Sequence, residues 1–175
     1  MCIRDRGHAG TLSPFALVRE VREFFDGPIA LSGSISEGSS VLSALALGAD
    51  FAYVGTKFIA TEEANASPGY KQMIIDSTAD DIMYSATFTG VNGNYLRPSV
   101  EAAGLNPEEH TSGSKDDMNF STSAIAKKDN SSKAWKDIWG SGQGIGTIKD
   151  APSVQTAVDQ MVSEYEEAKS RLNNF

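Results

Sequence analysis

A chain of 175 residues can bury one respectable core, yet it falls short of the roughly 250 residues that a complete β/α barrel uses. With 40% hydrophobic and 22% charged residues, its composition is that of a globular protein and excludes a disordered chain. The formal net charge of −8 argues against nucleic acid or an anionic membrane as a partner, because both select basic patches; an anionic ligand would need local donors instead.

The most apolar stretch, residues 41–54, is broken by Ser43, Gly48 and Asp50, so no membrane span is expected. Cys2 is the only cysteine, which leaves no intrachain disulfide and no multi-cysteine metal site; no metal is expected, and a cytoplasmic location is. Residues 1–6 lack the charged-then-apolar layout of a signal peptide and join abruptly to Gly7. They read as a non-native head on a chain that continues upstream.

Ser13-Pro14 opens the first helix with a capping hydroxyl and a proline at the first helical position, followed by Leu17, Val18, Val21, Phe24 and Phe25 at helical spacing. Asp26-Gly27-Pro28 ends it. Residues 29–31, Ile-Ala-Leu, have no polar alternation and read as a buried parallel strand. Residues 39–47 read as a buried helix stopped by Gly48, and residues 51–54 as a second buried strand closed by Gly55-Thr56. Helix, strand, helix and strand in this order predict an α/β fold with a parallel sheet.

Thr61-Glu62-Glu63 looks like the acidic start of a further helix, and residues 70–75 like another after Pro68. From 85 to 150 glycine, asparagine and serine accumulate without a clean period, which predicts a loop-rich excursion rather than another β/α repeat. Residues 107–132 read as a solvated loop. Val154, Ala157, Val158, Met161, Tyr165, Ala168 and Leu172 form one stripe of a final amphipathic helix that should pack back on the domain.

A phosphate dianion needs converging donors, and backbone amides in a tight glycine turn supply them without a charged side chain. Ser32-Gly33-Ser34 fits: Gly33 lets the backbone come close, and the Ser32 and Ser34 hydroxyls add donors. Gly55-Thr56 offers a second turn at the end of the next strand. Two such turns at the carboxyl ends of adjacent parallel strands point to phosphate binding, as barrels do after their last two strands; either turn alone is as well explained as a plain turn former.

His8, in Gly7-His8-Ala9-Gly10, sits in an exposed irregular turn and titrates near neutrality, so it is a candidate base or anion holder. His110 reads as merely exposed. The run Gly-Ser-Gly-Gln-Gly-Ile-Gly from Gly140 lacks the Gly-x-Gly-x-x-Gly spacing and follows Trp139 rather than a strand, so a dinucleotide site is rejected. Trp135 and Trp139 recur at helical spacing, suited to framing a ring or to hydrophobic anchoring. Arg97 is the excursion residue to test for anion contact, a surface salt bridge being the ordinary alternative.

Gly-His-Ala-Gly, then Pro-Ile-Ala-Leu-Ser-Gly-Ser-Ile-Ser-Glu-Gly, Ala-Leu-Gly-Ala-Asp, Gly-Thr-Lys-Phe-Ile-Ala-Thr-Glu-Glu-Ala and Trp-Gly-Ser-Gly-Gln-Gly resemble successive motifs of nitronate monooxygenases, once called 2-nitropropane dioxygenases. The resemblance runs from Gly7 to the C-terminus. It implies an FMN enzyme on a β/α (TIM-type) barrel with an inserted lid, turning alkyl nitronates and O2 into carbonyl compounds and nitrite, with nitroalkanes as further substrates.

On that resemblance His8 falls on the family's active-site histidine; Gly33, Ser34, Gly55 and Thr56 fall on its FMN phosphate turns, with Ser32 beside them, and Gln143 falls on a glutamine motif near the flavin. The implied layout is a partial barrel over 7–80, a lid over 81–150 and a packing helix over 151–175, with the strand before His8 as the sixth of the barrel and the two predicted strands as the seventh and eighth. The chain alone is therefore expected to bind FMN weakly or not at all. Two positions depart from the pattern: Arg6 where a glycine is usual, and Ser34 where a second glycine is common, which is tolerable if the turn keeps a negative φ there. Two rivals remain: an FMN-dependent enoyl reductase using NAD(P)H, and an inactive phosphate-binding fragment.

Overall fold

A computed structural model describes residues 2–3, 10–88, 91–110 and 137–174. Three parallel strands form the first sheet in the order β1 (Cys2–Ile3), β2 (Ala30–Ser32), β3 (Phe51–Tyr53). Cys2 pairs with Ala30 and Ile3 with Leu31, so part of the segment read as a foreign head lies in the sheet as a strand. β2 runs in register with β3 from Ala30 opposite Phe51 to Ser32 opposite Tyr53.

Helix α1 (Pro14–Arg22) starts where the sequence places it, with Ser13 Oγ accepting the Phe15 amide and Pro14 in the first turn. It ends at Arg22, earlier than the glycine-proline signal. Helix α2 (Gly38–Leu47) joins β2 to β3 and stops at Gly48, whose φ of 106° is left-handed. Val18 and Val21 of α1, Ala44 of α2, and Ile29, Leu31 and Ala49 around the strands form one buried cluster.

The strands are held in line from below by Arg22 and Asp50. Arg22 Nε donates to the Gly48 carbonyl at 2.9 Å and Nη1 to the Gly27 carbonyl at 2.7 Å, while Nη2 meets Asp50 Oδ2 at 2.6 Å. The same carboxylate oxygen accepts the Ile29 amide at 2.8 Å. One guanidinium thus ties the end of α1, the cap of α2 and the entries to β2 and β3. The Ile29 amide, and then Arg22, hold the Asp50 carboxyl below its ordinary value of 3.8.

The expectation of a second fully buried strand is corrected. Phe51 is 61% and Tyr53 55% exposed, while Ala52 between them packs on the core. β3 is the edge of this sheet, and only its helix-covered face is buried among the described residues.

The expected helix start at Thr61-Glu62-Glu63 is also corrected. Helix α3 (Thr56–Ile59) ends before it, and Thr61 to Glu63 form a turn whose carbonyls are taken by a lysine: Lys71 Nζ reaches Thr61 O at 2.6 Å and Glu62 O at 3.0 Å. The acidic residue still serves a helix start, but a remote one. Glu63 accepts the Val154 amide at 2.9 Å, at the first position of α6 (Val154–Asn173). Helix α4 (Pro68–Asp76) forms as read, with Ser67 as its cap.

Within the excursion, β4 (Ile82–Ser85) and β5 (Gly93–Leu96) make an antiparallel pair followed by α5 (Arg97–Ala102). No period marks β5 in the sequence because all four of its residues are buried, which removes polar alternation. Residues 111–132 of the expected solvated loop lie outside the described residues. Arg97 forms the ordinary salt bridge, to Glu108 at 2.6 Å.

Helix α6 packs on α2, burying Ala157, Met161 and Ala168, a narrower stripe than predicted, since Val158 and Leu172 stay exposed. The contact is backbone to backbone: a Cβ on Gly38 would come within 2.0 Å of the Met161 carbonyl oxygen. Among the described residues no helix is long and apolar enough to cross a membrane, and no group of three metal-ligating side chains occurs.

Replacing Arg22 by alanine strands the Gly27 and Gly48 carbonyls and is expected to cost about 1–3 kcal/mol in urea unfolding. Asp50→Asn is expected to lower the Tm at pH 7. A depressed carboxyl stabilises the fold above its ordinary range and loses that effect as the pH falls through its folded value. The gap in Tm between wild type and Asp50→Asn should therefore hold from pH 7 to about pH 5 and narrow as the pH falls below about 4, as followed by circular dichroism; a constant gap contradicts the assignment.

Candidate phosphate-binding cleft

Leaving β2, the chain turns through Gly33 at φ 110° and Ser34 at φ 58°. The expectation of a negative φ at Ser34 is overturned: this residue takes the left-handed conformation that costs a non-glycine residue about 1–2 kcal/mol. Two successive positive-φ residues bend the strand end sharply into the loop that leads to α2. Strain of this kind persists where the surroundings over-determine the backbone, and it clusters at functional sites.

The surroundings here are a third segment. A short 3-10 turn, Gln143–Thr147, lies across the loop. The buried Ser36 hydroxyl donates to the Gly144 carbonyl at 2.7 Å and lies 2.8 Å from Thr147 Oγ1. A Cβ on Gly144 would fall 2.9 Å from the carbonyl carbon of Ser34, so glycine is what permits this approach. On the other side, the Gly142 amide donates to the buried Thr56 Oγ1 at 2.9 Å.

The result is a small polar cleft with three walls: residues 32–36 after β2, Tyr53, Gly55 and Thr56 after β3, and Gly142 with Gly144 from the distant segment. The predicted Ser32, Gly33, Ser34, Gly55 and Thr56 all come together in it. Ser32 does so with a spent hydroxyl, since its Oγ is buried and donates to the Tyr53 carbonyl at 3.3 Å. Thr56 Oγ1 accepts from Gly142, which leaves its own proton to donate.

Gln143 does not line the cleft. Its side chain is exposed, and its two glycine neighbours make the wall instead. Sequence reasoning missed Ser36, Gly142 and Gly144. The alternating glycines after Trp139 were the available signal, and weighing them for a dinucleotide spacing and for the glutamine between them passed over their other use, which is to let one backbone lie on another. His8 and Trp135 lie outside the described residues, as does the side chain of His110.

Among the described residues no lysine or arginine lines the cleft. Lys57, next to Thr56, is buried and points its Nζ at Gln160 Oε1 at 3.2 Å. The start of α2 is taken as well: the Gly38 amide donates to Glu164 Oε2 at 2.8 Å. An anion in this cleft would be met by turn amides and hydroxyls rather than by that helix end.

Beside the cleft, sharing Tyr53 and Gly55 with it, runs a wider groove walled by Phe58, Tyr70 and Trp139. The Tyr70 and Trp139 rings stack at 5.0 Å, and the Tyr70 hydroxyl donates to the Gly140 carbonyl. Trp139 is thus anchored, on the α4 side of the fold.

A family model described as nitronate monooxygenase matches residues 4–164. A nitronate monooxygenase of Paraburkholderia phytofirmans is 30% identical over 114 residues, covering 60% of this chain and 31% of that protein. FabK from Thermotoga maritima superposes with a TM-score of 0.73 at 23% identity, covering 96% of this chain and 53% of that one. Nitroalkane oxidase from Streptomyces ansochromogenes gives 0.67 at 24%, covering 92% and 46%. The two structural likenesses speak for the fold. The chain spans about a third of the curated relative and about half of each solved one.

Ser34→Gly should relieve the left-handed strain and raise stability by up to about 1 kcal/mol, part of the gain being offset by the extra freedom of glycine in the unfolded chain. Gly144→Ala should lower it, because its Cβ meets backbone. Urea unfolding of both variants decides; a neutral Gly144→Ala would contradict the close packing.

Proposed function

Since the chain belongs to the nitronate monooxygenase family, a family of oxidoreductases, we propose that it is the FMN-phosphate-binding C-terminal portion of a flavin enzyme that oxidises alkyl nitronates with O2. The observation that carries this reading is the cleft itself: two donor turns at the carboxyl ends of adjacent parallel strands, closed by a third segment. Their polar, uncharged lining and the close approach at Gly144 suit a phosphate group gripped by amides and hydroxyls.

On this reading the amides of residues 33–35 and 55–56 and the Thr56 hydroxyl hold the phosphate of FMN. When bound, FMN supplies the redox chemistry with O2. The protein's own part is to hold the cofactor, place the nitronate beside it and manage a proton. His8 is the proposed catalytic residue: neutral, it removes the acidic proton of a nitroalkane; protonated, it holds a nitronate anion. Gln143, exposed beside the cleft, is proposed to approach the flavin only through its neighbours' backbone. The domain reading is a partial TIM-type barrel over 7–80, a lid over 81–150 containing the β4–β5 pair, and a closing helix, in a protein of the cytoplasm.

The test is run at saturating FMN on the 175-residue chain and on the chain extended by its upstream coding sequence. Oxygen uptake and nitrite release with propionate 3-nitronate are expected from the extended protein, falling by about a hundredfold or more in His8→Ala. The chain alone should lose its yellow colour on dialysis. NAD(P)H oxidation by an enoyl thioester, with no oxygen uptake on the nitronate, would reassign the protein as an FMN-dependent enoyl reductase. Absence of both would leave a phosphate-binding fragment without turnover.

A further inference from the structure

The segment that closes the cleft does not belong to either β/α unit, and its other end is built into the antiparallel sheet. The Leu96 amide donates to the Trp139 carbonyl at 2.8 Å and the Ser141 amide to the Asn94 carbonyl at 3.3 Å, with a bridge between Tyr95 and Gly140. Residues 139–141 therefore lie antiparallel along β5 through a single bridge. Two residues on, Gly142 is bonded to Thr56 in one turn, and Gly144 to Ser36 in the other. Ile145 and Ile148, fully or almost fully buried beside Leu96, Ile59 and Ile74, fix the segment from beneath.

We infer that residues 139–147 form a strut that makes the two turns of the cleft and the β4–β5 pair one cooperative unit, with Ser36 and Thr56 as its positioning residues. The two walls already meet at the strand ends, where Ser32 Oγ donates to the Tyr53 carbonyl; the strut joins the turns beyond that point. Ser36 holds the strut by donating its single proton to the Gly144 carbonyl, so Thr147 is the donor in the second contact. Thr56 holds it by accepting from Gly142. Loosening either hydroxyl frees the strut, and the freed strut loosens the opposite turn and the edge of β5. Coupling of this kind is reciprocal by thermodynamic necessity. Given the reading of the cleft as a phosphate site, a phosphate group that stiffens the turns also stiffens the antiparallel pair.

Amide hydrogen exchange followed by mass spectrometry on the protein without ligand tests the strut. Ser36→Ala should raise exchange about tenfold, the scale of one lost buried hydrogen bond, in residues 54–58 and 93–96 as well as in 142–147. Thr56→Val should do the same in residues 32–37 and 93–96. Ser36→Thr, which keeps the hydroxyl, should restore the wild-type pattern, and Thr147→Val, which removes the second partner of Ser36 and the Thr147 contact with the Gly144 carbonyl but keeps the bond from Ser36 to Gly144, should give the same pattern at lower amplitude if Ser36→Ala does not fold. If each variant loosens only the residues it touches, or loosens the whole chain evenly, the strut is refuted.

A second arm adds inorganic phosphate to the wild type. Protection spreading from both turns to residues 93–96 supports the coupling, and protection of the turns without the β5 edge overturns it. Reciprocal loosening in the variants with no protection by phosphate would sustain the strut and sink the phosphate reading instead.

Discussion

Two hydrogen bonds decide whether this chain has a site at all: Gly142 to the Thr56 hydroxyl and the Ser36 hydroxyl to Gly144. Without them the turns after β2 and β3 are two separate bends at the end of a small sheet. With them, a segment more than a hundred positions downstream of Ser36 becomes a third wall and lies close against the left-handed Ser34. Both hydroxyls are buried, where leaving a carbonyl or amide without its partner costs more than the bond yields in water. The cleft is therefore a consequence of tertiary packing.

What lies beneath the cleft serves its alignment. Arg22 and Asp50 fix the entries to β2 and β3, so that the strands leave the sheet level with each other and their turns face one cleft. Helix α6 presses its backbone on Gly38 and supplies Glu164 to the start of α2. That carboxylate removes the most obvious anion site from competition. In a chain of net charge −8, a cleft whose described lining is uncharged would, on the proposed reading, recognise a phosphate by shape and donor direction more than by field.

The sequence spelled out much of this fold where the code is local. Ser13-Pro14 marked a helix start, Pro68 the approach to another, Gly48 a helix end, and Ile29 to Leu31 a parallel strand, since each depends on neighbours a few residues away. The two turns were legible for the same reason. What stayed hidden depends on distance along the chain. Glu63 was read as starting its own helix and instead caps α6; β5 lacks alternation because every residue in it is buried; Ser36 and Gly144 carry meaning only once they touch. Ser34 shows the limit from the other side: its departure from glycine was visible, but its positive φ was not.

The central claim is that this cleft grips a phosphate group through its turns. A titration of the isotopically labelled protein with inorganic phosphate, followed amide by amide in NMR spectra, tests it most directly. The account predicts saturable shifts centred on Ser34, Ile35, Gly55, Thr56 and Gly142, with the Gly38 amide, held by Glu164, left in place. Shifts centred on Gly38 and the start of α2, or none above those produced by an equal concentration of chloride, would contradict it.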